Sequence, residues 1–497
     1  MRILFVLRSE GFFPYHQTTV DHLIARGHHV TLQFTNNVGP PDDRGLREWL
    51  TRGPKVTVEQ ATRRRPGLWR RVLFTTREMR SYASYCRRGA DVEFYRNRWR
   101  RYLPEWLGRL VERSPLAEAV FRATLTEKVL TAVERHAPPS PDIVAALRRG
   151  QYDCVLASPA NTLANEEIEY VKAAKALSIP SVIPVVTWDN LTTKGLIQEP
   201  PDWVFAWHHA HETEARTVHG IDRDRIVVTG SPFFDKWFDT TRRTSSRTET
   251  CRRVGVDPAA PYLLYLGSSA NIVRDESWLV LALAEALRTA DHAQVRRLQL
   301  VFKSHPGGSP RNTRALPRLT EAGVPIWPAA RGRPDTSDAV DQFGDGLRHA
   351  SAVIGINTSG MIDAILCDRP CLALIVKRYG PTQSQTTHFR TMQESKALLV
   401  TRSVRHAVHT LGRVLDGHDP TATARRRFAT TYVRPRGIGA PAGEAAAIAT
   451  ELAARRQPLS ADAITMTIDR ELGDRPRPGI RPAASELHEL VEGIADI

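Results

Sequence analysis

The chain alternates short apolar runs with segments of helical periodicity, and this alternation limits the folds open to it. Residues 3–7 form a continuous apolar run, which is typical of a strand covered on both faces. Residues 16–27 then place apolar side chains at helical spacing and end at a glycine, and residues 28–34 form a second apolar run. This order of strand, helix and strand predicts an α/β fold with a parallel sheet.

The alternation occurs in two series, separated by a polar segment that has few apolar residues and ends in Pro-Ala-Ala-Pro. We therefore expect a first domain at residues 1–239, a linker at 240–260 and a second domain at 261–458. Residues 459–497 contain the run GDRPRPGIRP and are predicted to form a loosely packed C-terminal tail. A chain of 497 residues is long enough for two domains of this kind.

A helical, arginine-rich insertion is expected at residues 62–136 of the first domain. Within residues 62–101, thirteen arginines stand against three acidic residues, and aromatic residues are interleaved with them. Three interpretations apply to such a segment: docking on an anionic membrane, binding of nucleic acid through phosphates and base stacking, or a solvated helical face. The membrane and the solvated face both stay open, whereas nucleic acid is disfavoured because no nucleic-acid module is recognisable.

Net charge limits the kinds of molecule that the protein is expected to bind, and cysteine content indicates the cellular compartment. The formal net charge of +15 favours polyanions such as nucleotides, nucleic acid or anionic lipid, although arginine-rich codon usage explains the same excess. Five scattered cysteines indicate a reducing, cytoplasmic compartment. The N-terminal apolar run is too short for a signal peptide, and no window of ~18 apolar residues predicts a membrane-spanning helix. No Cys or His cluster has metal-ligand spacing, so we expect no metal.

Three predicted strands of the second domain end in small or basic polar residues. The carboxyl ends of parallel strands share one edge of the sheet, where backbone N–H groups and helix N-termini favour phosphate. His305 follows one of these strands and Lys303 lies two residues earlier, so the pair is expected beside a diphosphate. The candidate residues of this ligand site are Gly267, Ser268, Ser269, Lys303, His305, Asn357, Thr358, Ser359, Gly360 and Asp363.

Each of these residues also has a simpler interpretation. Serine and threonine at such positions cap helices, and His305 is suited to a hydrogen bond within its own turn. Asp363 lies one helical turn after Ser359, where it either accepts bonds from ribose hydroxyls or complements the helix dipole. Three such features in one domain favour a ligand site.

A second concentrated stretch, VVTWDNLTTKG, follows a predicted strand of the first domain. Trp188, Asp189 and Asn190 are candidate sugar-binding residues, because a tryptophan ring packs on a sugar face while the polar pair meets hydroxyl groups. The alternative is an Asx-type turn with Trp188 in the core. Glu10 and His16, in the loop after the first strand, are candidate general bases, although His16 also suits a helix start.

Several runs of the chain together resemble the two-domain GT-B glycosyltransferases. They are RILFV with HQTTVDHLIARGHHVTL, RIVVTGSPFFD, VFKSHP and ASAVIGINTSGMIDAILCDRPCLAL. The resemblance covers residues 2–452 outside the arginine-rich insertion and points to bacterial surface-polysaccharide transferases, with UDP-GlcNAc 2-epimerases and CDP-glycerol glycerophosphotransferases also similar. It implies two Rossmann-like domains facing each other across a cleft, with the donor diphosphate near His305, Ser359 and Gly360 and the donor ribose near Asp363.

The resemblance also implies an activity. It is that of a metal-independent glycosyltransferase with no cofactor besides its nucleotide-sugar co-substrate. The acceptor is expected to be a surface glycan or a lipid-linked glycan bound by the first domain at Trp188, Asp189 and Asn190, with Glu10 or His16 as the base for its hydroxyl. The location is expected to be cytoplasmic or peripheral at the inner membrane face. A nucleotide-sugar 2-epimerase, a CDP-polyol phosphotransferase and an inactive GT-B-like binding protein stay as alternatives, because the fold alone does not decide between them.

Overall fold

Two parallel β-sheets form the framework of the protein. The computed structural model describes residues 1–36, 42–62, 65–88, 92–328, 334–455 and 459–473. The strands are almost entirely buried because helices cover both faces of each sheet, which explains their continuous apolar runs. The predicted α/β class with parallel sheets is confirmed.

The first sheet has seven strands in the order β3-β2-β1-β4-β5-β6-β7. The strand order reverses between β1 and β4, and ligands of such sheets bind outside the carboxyl ends of the strands at this point. The strands are Arg2–Leu7 (β1), His29–Phe34 (β2), Val56–Gln60 (β3), Cys154–Ser158 (β4), Ser181–Pro184 (β5), Trp203–Ala206 (β6) and Ile226–Val228 (β7).

The second sheet has six strands in the order β10-β9-β8-β11-β12-β13, and its order reverses between β8 and β11. Three neighbouring strands, β9, β8 and β11, therefore end side by side at this point. The strands are Tyr262–Leu266 (β8), Gln299–Lys303 (β9), Ile326–Trp327 (β10), Ala352–Gly355 (β11), Cys371–Leu374 (β12) and Leu399–Thr401 (β13).

Twenty-two α-helices are assigned among the described residues, and none is both long and apolar enough to cross a bilayer. In the first half of the chain they are α1 Gln17–Ala25, α2 Arg44–Thr51, α3 Gly67–Arg87, α4 Glu93–Arg100, α5 Glu105–Arg113, α6 Pro115–Arg122, α7 Thr124–His136, α8 Pro141–Gly150, α9 Glu167–Ala176, α10 Asn190–Thr193 and α11 His209–His219. In the second half they are α12 Arg247–Val254, α13 Ser277–Arg288, α14 Ala293–Arg296, α15 Pro310–Glu321, α16 Ser337–Arg348, α17 Gly360–Leu366, α18 Thr387–Glu394, α19 Val404–Leu415, α20 Ala422–Phe428, α21 Ala442–Ala453 and α22 Ala461–Leu472.

The expected arginine-rich insertion is helical and consists of α3 to α7. Two of its arginines turn inward, whereas eight of the fourteen between residues 67 and 136 are exposed. Arg77 is buried in ion pairs with Glu134 on α7 and Glu169 on α9, and Arg80 donates to the backbone oxygen of Gln198. Arg77 and Arg80 therefore help to fix the insertion to the first domain, while the exposed arginines form a basic outer surface.

The predicted boundaries differ from the packing at both ends of the second domain. Residues 240–260, predicted as a linker, contain α12, which packs against α16 of the second domain. Residues 442–453, predicted within the second domain, form α21, which packs against α1 and the core of the first. The predicted tail begins with α22, which lies in the same core, and residues 474–497 lie outside the described residues.

The Asp235 carboxylate holds the start of α21 against the first domain. It accepts hydrogen bonds from the backbone N–H groups of Ala442 and Gly443 at the start of α21. It also pairs with Arg434, at 2.8 Å. A carboxylate at a helix N-terminus satisfies N–H groups that have no intrahelical partner.

Candidate functional site

A cleft with two connected chambers lies between the carboxyl ends of the two sheets. The first chamber, of about 180 Å³, is bordered by Trp188, Asp189 and His388. The second, of about 340 Å³, is bordered by Lys303, Gly360 and Asp363. The two chambers share one wall, formed by Tyr15, Phe233, Ser269, Asn271, His305, Thr358 and Ser359. A second chamber of this size alone suits a small molecule, since such sites occupy roughly 300–1,000 Å³.

The ends of β8 and β9 lie close together, and Gly267 makes this approach possible. A Cβ atom at this position would lie 3.0 Å from the backbone oxygen of Lys303 and 3.3 Å from the backbone nitrogen of His305. The Gly267 N–H also donates to the Lys303 carbonyl, at 2.9 Å. Gly267 lines the second chamber and brings the turn that carries His305 to the cleft.

His305 borders both chambers and also stabilises its own turn. Its Nδ1 accepts a hydrogen bond from the Gly307 N–H, at 2.9 Å. A neutral ring with Nδ1 as acceptor carries its proton on Nε2, so the ring is a hydrogen-bond donor there. The two interpretations of this histidine, turn residue and cleft residue, are therefore compatible.

The two serines after β8 take opposite directions. Ser268 is fully buried and donates from its backbone N–H and its hydroxyl to the Glu276 carboxylate. Burial raises the pKa of Glu276 to about 7 despite these bonds. Ser269, in contrast, lies in the wall shared by both chambers. Of the predicted donor-binding pair, the structure brings only Ser269 to the cleft.

The loop after β11 contributes Thr358 and Ser359 to the shared wall. Asn357 borders the first chamber and donates from Nδ2 to the Thr382 carbonyl, at 2.8 Å. Gly360 borders the second chamber and begins α17. The structure thus places all four predicted residues of this loop at the cleft.

Lys303 and Asp363 lie together in the second chamber. Burial lowers the pKa of Lys303 to about 8, although the Asp363 carboxylate acts in the opposite direction. Burial raises the pKa of Asp363, while the cations of Lys236 and Lys303 and the Trp237 indole oppose that rise. Asp363 Oδ1 accepts a bond from Trp237 Nε1, at 2.7 Å, so this carboxylate also joins the two domains.

Among the three predicted acceptor residues, Trp188 and Asp189 border the first chamber. Trp188 is largely buried, and its Nε1 donates to the His388 carbonyl of the second domain, at 2.8 Å. Asn190 does not border the cleft, because it is buried in a side-chain hydrogen bond with Asn161. The proposed tryptophan platform is therefore also an interdomain contact.

Asp189 is held as a carboxylate by its surroundings. Burial by itself raises its pKa, but the Lys194 ammonium, 3.1 Å away, and bonds from the Thr193 and Thr187 hydroxyls bring the pKa well below its usual range. Asp189 and Lys194 together present both signs of charge at the first chamber.

The insertion adds residues to the first chamber that the sequence did not single out. Tyr95 and Arg98 of α4 border this chamber, and Arg98 donates to the Thr193 carbonyl. Tyr85 of α3 donates from its hydroxyl to the Lys194 carbonyl, at 2.6 Å. The insertion therefore supports the loop that carries Asp189 and Lys194. The mixture of aromatic and arginine residues around Tyr95 could have indicated a binding role for α4. The loop that α4 contacts lies almost 100 positions later, so the sequence did not connect the two.

Neither predicted general base borders either chamber. His16 is 2 % exposed, burial lowers its pKa to about 3, and its Nε2 bonds with the Ser158 hydroxyl at 2.9 Å. The Glu10 carboxylate is buried and accepts hydrogen bonds from the backbone N–H groups of Asp42 and Asp43. Asp43 itself borders the second chamber. A role as base stays a prediction for both residues and requires rearrangement of their present bonds.

The described residues contain no group of three His, Cys, Asp or Glu side chains arranged to hold a metal ion. The shared wall and the second chamber offer hydrogen-bond donors and a cation. His305, Ser269, Thr358 and Ser359 supply donors at the shared wall, and Lys303 supplies a cation behind them. Such groups stabilise an anionic ligand or leaving group.

Solved structures share this architecture. A protein from Listeria monocytogenes, assigned as a UDP-N-acetylglucosamine 2-epimerase, is 11% identical over 92% of this chain and 97% of its own, with a TM-score of 0.51. Staphylococcus aureus MnaA with UDP and a glycosyltransferase from Rickettsia africae are each 10% identical. They cover 89% and 87% of this chain and 94% of their own, each with a TM-score of 0.48.

No protein-family model and no curated protein sequence matches the chain. Identities near 10% carry information about the fold alone. The Listeria structure matches almost the whole chain, and the two parallel sheets with their reversal points agree with the expected architecture. The chain therefore has the two-domain GT-B fold, with a helical insertion in its first domain.

Proposed function

We propose that the protein transfers a sugar from a nucleotide-sugar donor to an acceptor hydroxyl bound in the same cleft. The observation that carries this proposal is the shared wall, in which Ser269, His305, Thr358 and Ser359 from three adjacent strand ends meet. Backbone N–H groups, hydroxyls and an imidazole N–H at such an edge suit a diphosphate.

The two chambers have different chemistry, and we assign them different substrates. The second chamber, with Lys303 and Asp363, takes the nucleoside diphosphate. The first chamber, with Trp188, Asp189 and the Tyr95 and Arg98 side chains of the insertion, takes the acceptor, which we propose is a surface glycan or a lipid-linked glycan. The acceptor oxygen attacks the anomeric carbon while its proton passes to a base of the first domain, and the bond from that carbon to the diphosphate breaks. Donors at the shared wall then stabilise the departing diphosphate.

A thermal-shift panel of UDP, GDP, CDP, CMP and dTDP tests the donor site. A nucleotide at a hundredfold excess over its dissociation constant stabilises the native state by about 2.7 kcal/mol, which for domains of this size is roughly 5–10 °C. We expect one nucleotide to give this shift, and His305→Ala to reduce it strongly. His409→Ala, at an exposed histidine on α19 of the same domain, serves as the matched control.

The absence of a shift with every nucleotide would show that the proposed donor site is wrong. Once a nucleotide is identified, turnover of the corresponding nucleotide sugar separates the candidate activities. A transferase releases nucleoside diphosphate only with an acceptor, an epimerase changes the donor without one, and a binding protein does neither.

A further inference from the structure

Exposed apolar side chains are concentrated on the helical insertion. Of the twelve large hydrophobic residues that are exposed among the described residues, nine lie between Leu68 and Val129. Six of them form one pair at i, i+4 spacing on each of α5, α6 and α7. We name these six residues the outer ridge: Trp106, Leu110, Leu116, Val120, Leu125 and Val129.

The opposite faces of the same helices are already packed, so the outer ridge faces solvent. Leu107 and Val111 of α5 and Phe121 of α6 join one apolar cluster with Tyr82 of α3. Leu130 of α7 is buried as well. Because α6 and α7 both pack on α3, their exposed pairs point away from the body of the first domain. Leu116 and Leu125 are 80% and 70% exposed, and exposed apolar residues that are grouped in this way mark interaction surfaces.

The insertion that carries the outer ridge has a positive net charge as a whole. Residues 67–136 carry fifteen arginines and lysines against eight acidic residues. Four of the five acids on α5 to α7 are paired with arginines of α3 and α4, in the pairs Glu112–Arg100, Glu118–Arg96, Glu127–Arg87 and Glu134–Arg77. Of the five basic residues on α5 to α7, Arg109 and Arg122 pair with acids of their own helices. Arg113, Lys128 and Arg135 are exposed and form no ion pair within the described residues.

We propose that the outer ridge docks on the surface of an anionic lipid bilayer. Leucine, valine and tryptophan side chains enter the boundary between headgroups and acyl chains, while the flanking arginines and lysines meet anionic headgroups. A second copy of the chain is a poorer occupant, because a symmetric contact would bring two strongly basic insertions together. Nucleic acid offers nothing for the aliphatic side chains to contact. This docking is independent of the proposed function, since it requires neither donor nor acceptor.

Sedimentation with vesicles tests the proposal. The full chain is mixed with vesicles of phosphatidylcholine alone, or with about one third phosphatidylglycerol. We expect binding to the anionic vesicles, weakened by salt because the headgroup attraction is screened. Leu116→Gln with Leu125→Gln removes two apolar contacts without adding charge, and we expect it to lower the partition roughly tenfold or more.

Met466→Gln is the matched control, since Met466 is 71% exposed but lies on α22, away from the insertion. All three proteins are expected to unfold at the same temperature, because the substituted side chains are exposed. Binding of the double variant equal to that of the wild type, or no binding of the wild type to anionic vesicles, would overturn the proposal. A dimer in sedimentation velocity that the double variant dissociates would instead assign the outer ridge to a second copy.

Discussion

Lys303 is a lysine at the end of a buried strand, and its position makes the charge of the cleft depend on pH. It is 9% exposed, borders the second chamber and lies 4.7 Å from the centre of the Phe343 ring. Burial lowers its pKa to about 8. The ammonium is therefore present at neutral pH and is lost just above it.

We expect nucleoside diphosphate affinity to fall as the pH rises from about 7 to about 9, by up to roughly tenfold per unit above the lysine pKa. The terminal phosphate is already ionised in this range, since its second pKa is about 6. Lys303→Met should bind more weakly at pH 7 and lose this dependence, whereas Lys377→Met, at an exposed lysine of the same domain, should keep it. Calorimetric titration across this range is the measurement. Equal pH profiles for wild type and Lys303→Met would contradict the role of Lys303.

The two serines after β8 show how much of the candidate site could be predicted from the sequence at the scale of single residues. The run Gly-Ser-Ser after an apolar strand predicts polar groups at the sheet edge, and Ser269 fulfils this prediction by bordering the cleft. Ser268 turns instead to Glu276, whose carboxylate accepts both its N–H and its hydroxyl. No spacing rule links these two residues, so the sequence could not separate the two serines.

At the scale of elements, the insertion is joined to the first domain by buried charges. Arg77 of α3 donates to Glu134 of α7 through two nitrogen atoms, each at 2.8 Å, and also to Glu169 of α9. Lys172 of α9 pairs with the same Glu134 carboxylate. Burial by itself raises the pKa of Glu134, but Arg77 and Lys172 lower it to about 2.

Arg77→Met is expected to destabilise the protein by about 3–5 kcal/mol at neutral pH, because it leaves two buried carboxylates short of a partner. Glu134 has a lowered pKa in the folded state, so its stabilisation is present above the unfolded pKa of about 4.3 and is lost as the pH falls toward 2. The difference in the free energy of unfolding between Arg77→Met and the wild type should therefore become smaller at acid pH.

Urea unfolding at several pH values measures this effect. Arg71→Met, at an exposed position on the same helix, is the control and should change stability by less than about 0.5 kcal/mol. A loss in Arg77→Met no larger than that of the control would show that the buried network contributes little.

The sequence predicted the insertion and its helical character but not which of its arginines are buried, as Arg77 and Arg80 are. Their density suggested an exposed basic face, yet the acidic partners of Arg77 lie 57 and 92 positions later in the chain. The acidic partners of such a charge run come from distant helices, so they cannot be identified from the sequence before the fold is known. The exposed apolar pairs of α5 to α7 were visible as i, i+4 spacing, but such pairs equally predict a buried face.

At the scale of the whole molecule, the first domain is built from two chain segments, one before and one after the second domain in the sequence. The helices α21 and α22 complete its core, with Ile464 and Ile468 fully buried. Gly443 permits the close approach of α21 to α1, since a Cβ atom there would lie 2.3 Å from the Thr18 hydroxyl oxygen. The periodicity of the apolar runs predicted the two-sheet fold, but nothing in the alanine-rich run of α21 states which sheet it covers.

Ile464→Ala should therefore destabilise the first domain, by about 2–5 kcal/mol, through the cavity it leaves. Met466→Ala, two positions away on the exposed side of α22, should change stability by less than about 0.5 kcal/mol. Denaturant unfolding followed by tryptophan fluorescence compares the two variants. A nucleotide added in excess should leave the difference between them unchanged if it binds only the second domain. Equal stability of the two variants would show that α22 does not contribute to the core.

Because α21 returns the chain to the first domain, the order of synthesis delays the completion of that domain during translation. The seven strands of the first sheet emerge early, but the helices that close its core are synthesised only after about 200 further residues, which at about 5–20 residues per second takes roughly 10–40 s. During that interval the second domain is free to fold while the first still exposes part of its core. The nascent chain is thus expected to depend on holding chaperones for its N-terminal half, although that half is made first.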